Sequence, residues 1–233
     1  MRTSAFAGIA ASATALALAL SGCGSDTQKT DTATTSSSAV STAPTSGKVA
    51  KPVQNDGPNP TIADYIRDHK LTESQVHRGD AGTPKVDLPT PDGWKAAGDD
   101  NPMWAYDSII YSGPADGKDT DYTPSIVALL SKLNGTVDPK ALLAAAPGEL
   151  QNLPGFKASG LGTATTLGTY PAYQLAGTWT ADGKTKFVAQ KTVVIPAEDA
   201  TYVLQLNSDG TADQTALVEA ATVLVGQQTK VTP

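Results

Sequence analysis

The chain has a single cysteine, two histidines, two methionines and only 6% aromatic residues in 233 positions. One thiol cannot close an intramolecular disulfide, and one Cys with two His falls short of the three or four ligands a zinc site draws from those types. Positive charge is also in short supply: 17 Lys and Arg face 23 Asp and Glu, a formal charge of −6. That balance works against attraction to nucleic acid or to anionic lipid headgroups, so neither nucleic acid nor a metal is expected as a partner, and no cofactor is. What is present is apolar content of 39%, with 21 Gly besides, enough for a packed core in one domain of ordinary size.

Arg2 is the one charge before a run from Ala5 to Leu20 with no ionisable side chain. Such a run would rise about 24 Å as a helix, less than the roughly 30 Å hydrocarbon core, which favours a cleaved export signal over a permanent span. Leu20-Ser21-Gly22-Cys23 resembles the bacterial lipobox, so residues 1–22 are expected to be a lipoprotein signal peptide and Cys23 the lipidated N-terminus of the mature chain. The resemblance implies a diacylglycerol thioether on the sulfur, with or without an added N-acyl chain of the palmitate kind. At about 0.8 kcal/mol per buried methylene, two or three acyl chains hold a protein on the bilayer without help from a basic patch. The expected location is therefore the extracytoplasmic face of the plasma membrane. From Gly24 to Gly47, 13 of 24 residues are Ser or Thr. Residues 23–59 therefore read as the lipidated cysteine followed by a tether without a core, either a bare spacer or an O-glycosylated one.

Residues 60–230 read as one mixed domain. Thr61 and Asp64 offer a cap for a short helix presenting Ile62, Tyr65 and Ile66 on one face. Leu88 to Trp94 reads as a strand end and a Pro-Gly turn with the indole packed behind it, and Met103–Tyr111 as a strand. Thr123-Pro124 followed by Ile126, Leu129, Leu130 and Leu133 predicts a helix ended by Asn134-Gly135. Asp138-Pro139 predicts a second one through Ala146, paired with it. Alternation from Ala172 to Thr180, an Asp182-Gly183 tip and an apolar run from Phe187 to Ile195 predict a hairpin. Tyr202, Leu204 and Leu206 add a strand that stops at Asn207-Ser208-Asp209-Gly210. A last helix follows, capped at Thr211 or Asp213 with Gln214 able to reach back to Thr211, and buried along Leu217, Val218, Ala221, Leu224 and Val225. The fold class is α+β, an antiparallel sheet sandwiched by helices.

Six segments occur in a characteristic order: the lipobox, TIADYI, LPTPDGW, IVALLSKLNG, APGELQNLPGF at 146–156 and QKTVVIP at 190–196. Together they resemble the LpqN/LpqT family of mycobacterial and related actinobacterial lipoproteins. The resemblance implies a Mog1/PsbP-like α/β/α sandwich over roughly residues 60–230. It further implies a role in cell-envelope glycolipid biology beside MmpL-type mycolate exporters, with a mycolyl glycolipid such as trehalose monomycolate as cargo. The family brings no catalytic motif, so only the lipidation of Cys23 carries over by residue.

The residues themselves offer little catalysis. His69 and His77 sit in a polar stretch and read as solvated; Asp99-Asp100 and the run Asp116, Asp119, Asp121 read as loops, and Gly160-Leu161-Gly162 as a turn. Trp104, Tyr106, Tyr173, Trp179 and Phe187 are large rings on strands, suited either to core packing or to a pocket holding an acyl chain beside a sugar headgroup. Three readings stay open: a non-enzymatic binder or accessory factor for envelope glycolipid, a protein-docking adaptor without a small-molecule pocket, host-facing or not, and a hydrolase of unusual design.

Overall fold

The computed structural model describes residues 49–53, 56–114, 121–160 and 162–233, all within one compact unit. The leader, Cys23, most of the tether, Asp116, Asp119 and Leu161 lie outside the described residues. In chain order the elements are α1 (Ile62–Asp68), β1 (Thr72–Gln75), β2 (Lys85–Asp87), β3 (Trp94–Ala96), β4 (Asp107–Tyr111), β5 (Ser125–Asn134), α2 (Pro139–Ala145) and α3 (Gly148–Gln151). They continue with β6 (Lys157–Ala158), β7 (Thr163–Leu167), β8 (Tyr170–Ala181), β9 (Lys184–Pro196), β10 (Thr201–Thr211), α4 (Thr215–Gln228) and β11 (Lys230–Thr232).

Among the described residues nine strands form one antiparallel sheet in the order β3-β4-β5-β10-β9-β8-β6. Strand β1 shares the β5 edge with β4, and β7 shares the β8 edge with β6. The β8–β9 hairpin turns where expected, with Asp182 and Gly183 both at positive φ and Ala181 opposite Lys184. Two-residue loops of this kind match the twist of the strands they join. Strand β11 pairs with β2 as a separate ribbon.

Helices cover both faces of the sheet. Residues of even number in β5 and β10, such as Ile126, Leu130, Leu204 and Leu206, pack with Val193, Ile195 and the α4 residues Ala221 and Val225. Lys191 is buried on this face as well, its Nζ donating to the Gly226 carbonyl near the α4 C-terminus at 2.6 Å. The opposite face buries Leu133, Val194 and Val203 against Ile62 and Tyr65 of α1 and Leu142 and Ala145 of α2. The α1 cap forms as predicted: Asp64 N donates to Thr61 Oγ1 at 3.2 Å and Thr61 N to Asp64 Oδ2 at 2.9 Å. The Thr61 N–H and the Thr61 hydroxyl, both donating to Asp64 Oδ2, and the Arg67 guanidinium on Oδ1 hold the Asp64 carboxyl down at about 2. The predicted reciprocal cap of Thr211 with Gln214 also forms, ahead of α4.

Three expectations are corrected. Residues 125–134 are a strand, not a helix: Ser125–Asn134 lies inside the sheet, with β10 on one side and β4 and β1 on the other. An element buried on both faces is apolar throughout, so spacing of i, i+3, i+4 and i+7 is met by chance. The helix pairing of α2 is accordingly with α1, where Asp138 N donates to Tyr65 Oη at 2.9 Å. The strand expected from Met103 begins only at Asp107, and Met103 is 91% exposed. Finally, β10 runs through Asn207-Ser208-Asp209-Gly210 to Thr211 instead of stopping at Leu206. Gly210 is needed there because a Cβ would lie 2.7 Å from Val218 Cγ2 of α4.

Two side chains from the stretch read as tether also pack on the domain. Val49 is 8% exposed and packs with Ala97, Ala105, Ile110 and Val127, while Val53 packs with Leu150, Leu153 and Trp179. Asn59 is clamped to Asn152 by three hydrogen bonds of 2.8–3.1 Å.

Candidate functional site

On the face opposite α4, the sheet forms the floor of a cleft of about 60 Å³. That is room for roughly four to six water-sized groups, well below the roughly 300–1,000 Å³ of pockets that engulf a drug-sized ligand. The walls are apolar, from Val127, Leu129, Leu150, Leu153, Trp179 and Val188. The floor is polar because β9 and β10 present amides and a carboxyl there: Gln190, Gln205, Asn207 and Asp209. Glu149 enters from α3, which sits close because Gly148 has no side chain; a Cβ there would lie 1.9 Å from the Pro60 carbonyl oxygen.

The hydrogen bonds form one directed network. Gln190 Nε2 and Gln205 Nε2 both donate to Glu149 Oε2 at 2.7 Å, and Gln190 Nε2 also donates to Asn207 Oδ1 at 3.0 Å. A carboxylate accepts, so both glutamines present their NH₂ groups, and Asn207 must turn its oxygen to Gln190. Its Nδ2 is then left over. Asn207 is 8% exposed, and Nδ2 has no hydrogen-bond partner among the described residues; the same holds for Trp179 Nε1. Native structures seldom leave buried donors unmet, and two of them belong to residues that line one cleft. A cation is the wrong complement to surplus N–H groups.

Burial pushes the Glu149 carboxyl above its ordinary value, Glu73 adds to the rise, and the two glutamine donors pull it back. Asp209 is likewise raised by burial, with Tyr122 Oη and Lys186 opposing. Tyr122 Oη donates to Asp209 Oδ1, and burial beside that carboxyl raises the phenol in turn. The cleft thus has a hydrogen-bonding floor of two carboxyls and three amides under a wall containing an indole, a composition suited to a neutral polyhydroxyl group.

Of the rings singled out from sequence, Trp179 alone lines this cleft. Tyr106 and Phe187 are buried on the α4 face, where Tyr106 Oη accepts from Val86 N at 3.1 Å and Phe187 packs on Val218. Trp104 packs beside Ala97 and Ala105, and Tyr173 beside the α2 and α3 clusters. The five rings do not share one pocket, because β8 and β9 send Trp179 and Phe187 to opposite sides of the sheet. Sequence reasoning missed Glu149, Gln190, Gln205, Asn207 and Asp209. The available signal was Asn207 and Asp209 continuing the alternation of β10. The histidines meet the solvated expectation: His69 caps α1 by contact of Nδ1 with the Tyr65 carbonyl at 2.9 Å, and His77 faces Asp80 at the surface. Among the described residues no cluster of His, Cys, Asp and Glu suits a metal, and no helix is long and apolar enough to cross a membrane.

Residues 50–53 line the cleft from outside, and Ala50 and Lys51 are solvent-exposed, so this strap stands between cavity and water. It makes no hydrogen bond to the rest of the described residues. Burying two valines contributes at most about 3–6 kcal/mol. Fixing five residues of backbone costs about 5–10 kcal/mol. The strap is held weakly.

An antiparallel sheet covered by helices on both faces, with a small polar cleft under the strap of residues 49–53, defines an α+β sandwich. The chain belongs to the LpqN lipoprotein family: a family model described as "Probable lipoprotein LpqN" matches residues 58–232. It is 50% identical over 180 residues to "Lipoprotein LpqN" of Mycobacterium tuberculosis, covering 77% of each chain. The crystal structure of LpqN "involved in cell envelope biogenesis of Mycobacterium tuberculosis" superposes with a TM-score of 0.70 at 49% identity, over 76% of this chain and 100% of that one. The yeast Ran-binding protein Mog1p gives a TM-score of 0.37 at 15% identity over 65% of this chain and 84% of that one, a likeness too loose to argue from.

Proposed function

We propose that this chain is a non-enzymatic lipoprotein of the cell envelope, acylated on Cys23 and held on the extracytoplasmic face of the plasma membrane. There it binds the sugar headgroup of a mycolyl glycolipid of the trehalose mycolate class while an MmpL-type exporter handles that lipid. The observation that carries this reading is the cleft, whose lining brings the amides of Gln190, Gln205 and Asn207 and the carboxyls of Glu149 and Asp209 together with the Trp179 indole. Sugar hydroxyls both accept and donate, and so complement both sets. The volume suits hydroxyls along one edge of a ring and excludes a long acyl chain, so the lipid tail stays outside. The envelope role of the M. tuberculosis relative agrees with this placement.

The hydrolase reading gains one observation, two carboxyls in one cleft. However, Glu149 Oε2 and Asp209 Oδ1 are engaged by their own donors, and no imidazole lines the cleft. The test is gentle extraction of the acylated protein from its own envelope followed by mass spectrometry. Co-purifying trehalose mycolate and an MmpL-type transporter are the expected result, and retention of neither overturns the reading.

A further inference from the structure

We propose that residues 49–53 are an intramolecular cover for the cleft, which a sugar headgroup must displace in order to bind. The inference rests on the reading of the cleft as a headgroup site. Ala50, Lys51, Pro52 and Val53 occupy the side from which a ligand tethered to a lipid would approach, since the floor is closed by the sheet, and Glu149 and Leu150 of α3 with Leu153 just beyond it form a wall.

How the segment is fastened separates a cover from a structural wall. On its C-terminal side the chain is fixed at Asn59, whose three hydrogen bonds to Asn152 tie it to the end of α3. The strap itself rests on side-chain contact alone, Val49 in the patch of Ala97, Ala105, Ile110 and Val127, and Val53 against Leu150, Leu153 and Trp179. It can therefore lift without breaking a hydrogen bond, whereas Asn59 cannot. Val53 packs in the same cluster as Trp179, so strap and ligand compete for the indole.

A site open for a fraction f of the time binds with its intrinsic Kd divided by f, so loosening the strap must strengthen binding. Calorimetric titration with free trehalose, using the full chain and a Val49→Ser/Val53→Ser variant, reads this directly. If the cover is closed about nine-tenths of the time, the variant binds about tenfold more tightly. The ¹⁵N heteronuclear NOE of Val49, Ala50, Lys51 and Val53 in the unaltered protein falls toward mobile-chain values when trehalose is added, a readout that needs no variant and holds even if the double substitution fails to fold. Equal or weaker binding by a folded variant, or an NOE that trehalose leaves unchanged or raises, overturns the cover and leaves the headgroup reading standing. Failure of trehalose to bind either protein overturns the headgroup reading and the cover with it.

Discussion

Along β10, Tyr202, Leu204 and Leu206 turn toward α4 while Gln205, Asn207 and Asp209 turn toward the cleft, within one strand of alternating side chains. The α4 side is filled with aliphatic groups that have no alternative partner, so its residues act on stability. On the cleft side polar groups were taken from water and Asn207 Nδ2 was left without a partner among the described residues, so these residues cost stability and, on the proposed reading, act on binding. The sheet supplies rigidity from one face and chemistry from the other.

The largest expected effect lies on the α4 face. Leu204 is 0% exposed, and Leu204→Ala should cost about 2–5 kcal/mol in urea unfolding while leaving trehalose affinity of the folded protein unchanged. A loss of affinity would break the division between faces. On the cleft face, Gln190→Leu removes a donor from Glu149 and from Asn207 Oδ1 and should cost about 1–3 kcal/mol by the same measurement, with weakened binding. Asn207→Leu is the sharper test. Its Nδ2 is already unpaired but its Oδ1 accepts from Gln190, so stability should fall by about 0.5–1.5 kcal/mol, one hydrogen bond, while headgroup binding is lost in titration.

Glu149→Gln is expected to have the smallest effect and to show it as a pH profile. Because burial raises this carboxyl, the folded protein holds the proton more tightly than the unfolded chain does. The native protein is then favoured most below the ordinary value of 4.5 and loses stability as pH climbs from there through the raised value. A glutamine still offers an oxygen to Gln190 and Gln205 without the charge. Melting temperature against pH should therefore flatten across that window, with the variant the more stable at neutral pH.

Much of this frame is legible in the chain. The Thr61–Asp64 cap, the Asp138-Pro139 start of α2, the Asp182-Gly183 tip and the Thr211–Gln214 cap are local devices, in which residues two to four apart satisfy each other's backbone groups. The site is not legible in this way. Asn207-Ser208-Asp209-Gly210 reads as a turn because these residues favour turns when nothing else acts on them. In the folded protein β5 and β9 pair with them on both sides, and their turn-forming side chains become the floor of the cleft.

What the residues determined alone is the set of contacts closed within a few positions, together with the apolar alternation that marks β8 and β9. Tertiary structure decided the rest: that Ile126 to Leu133 extend as a strand once sheet neighbours meet both their edges, that Glu149 reaches Gln190 and Gln205 across 41 and 56 positions, and that a strap called tether lies over them. Hydrogen bonds between distant segments exist only after the chain has closed those long loops, and no local pattern records which of them will meet.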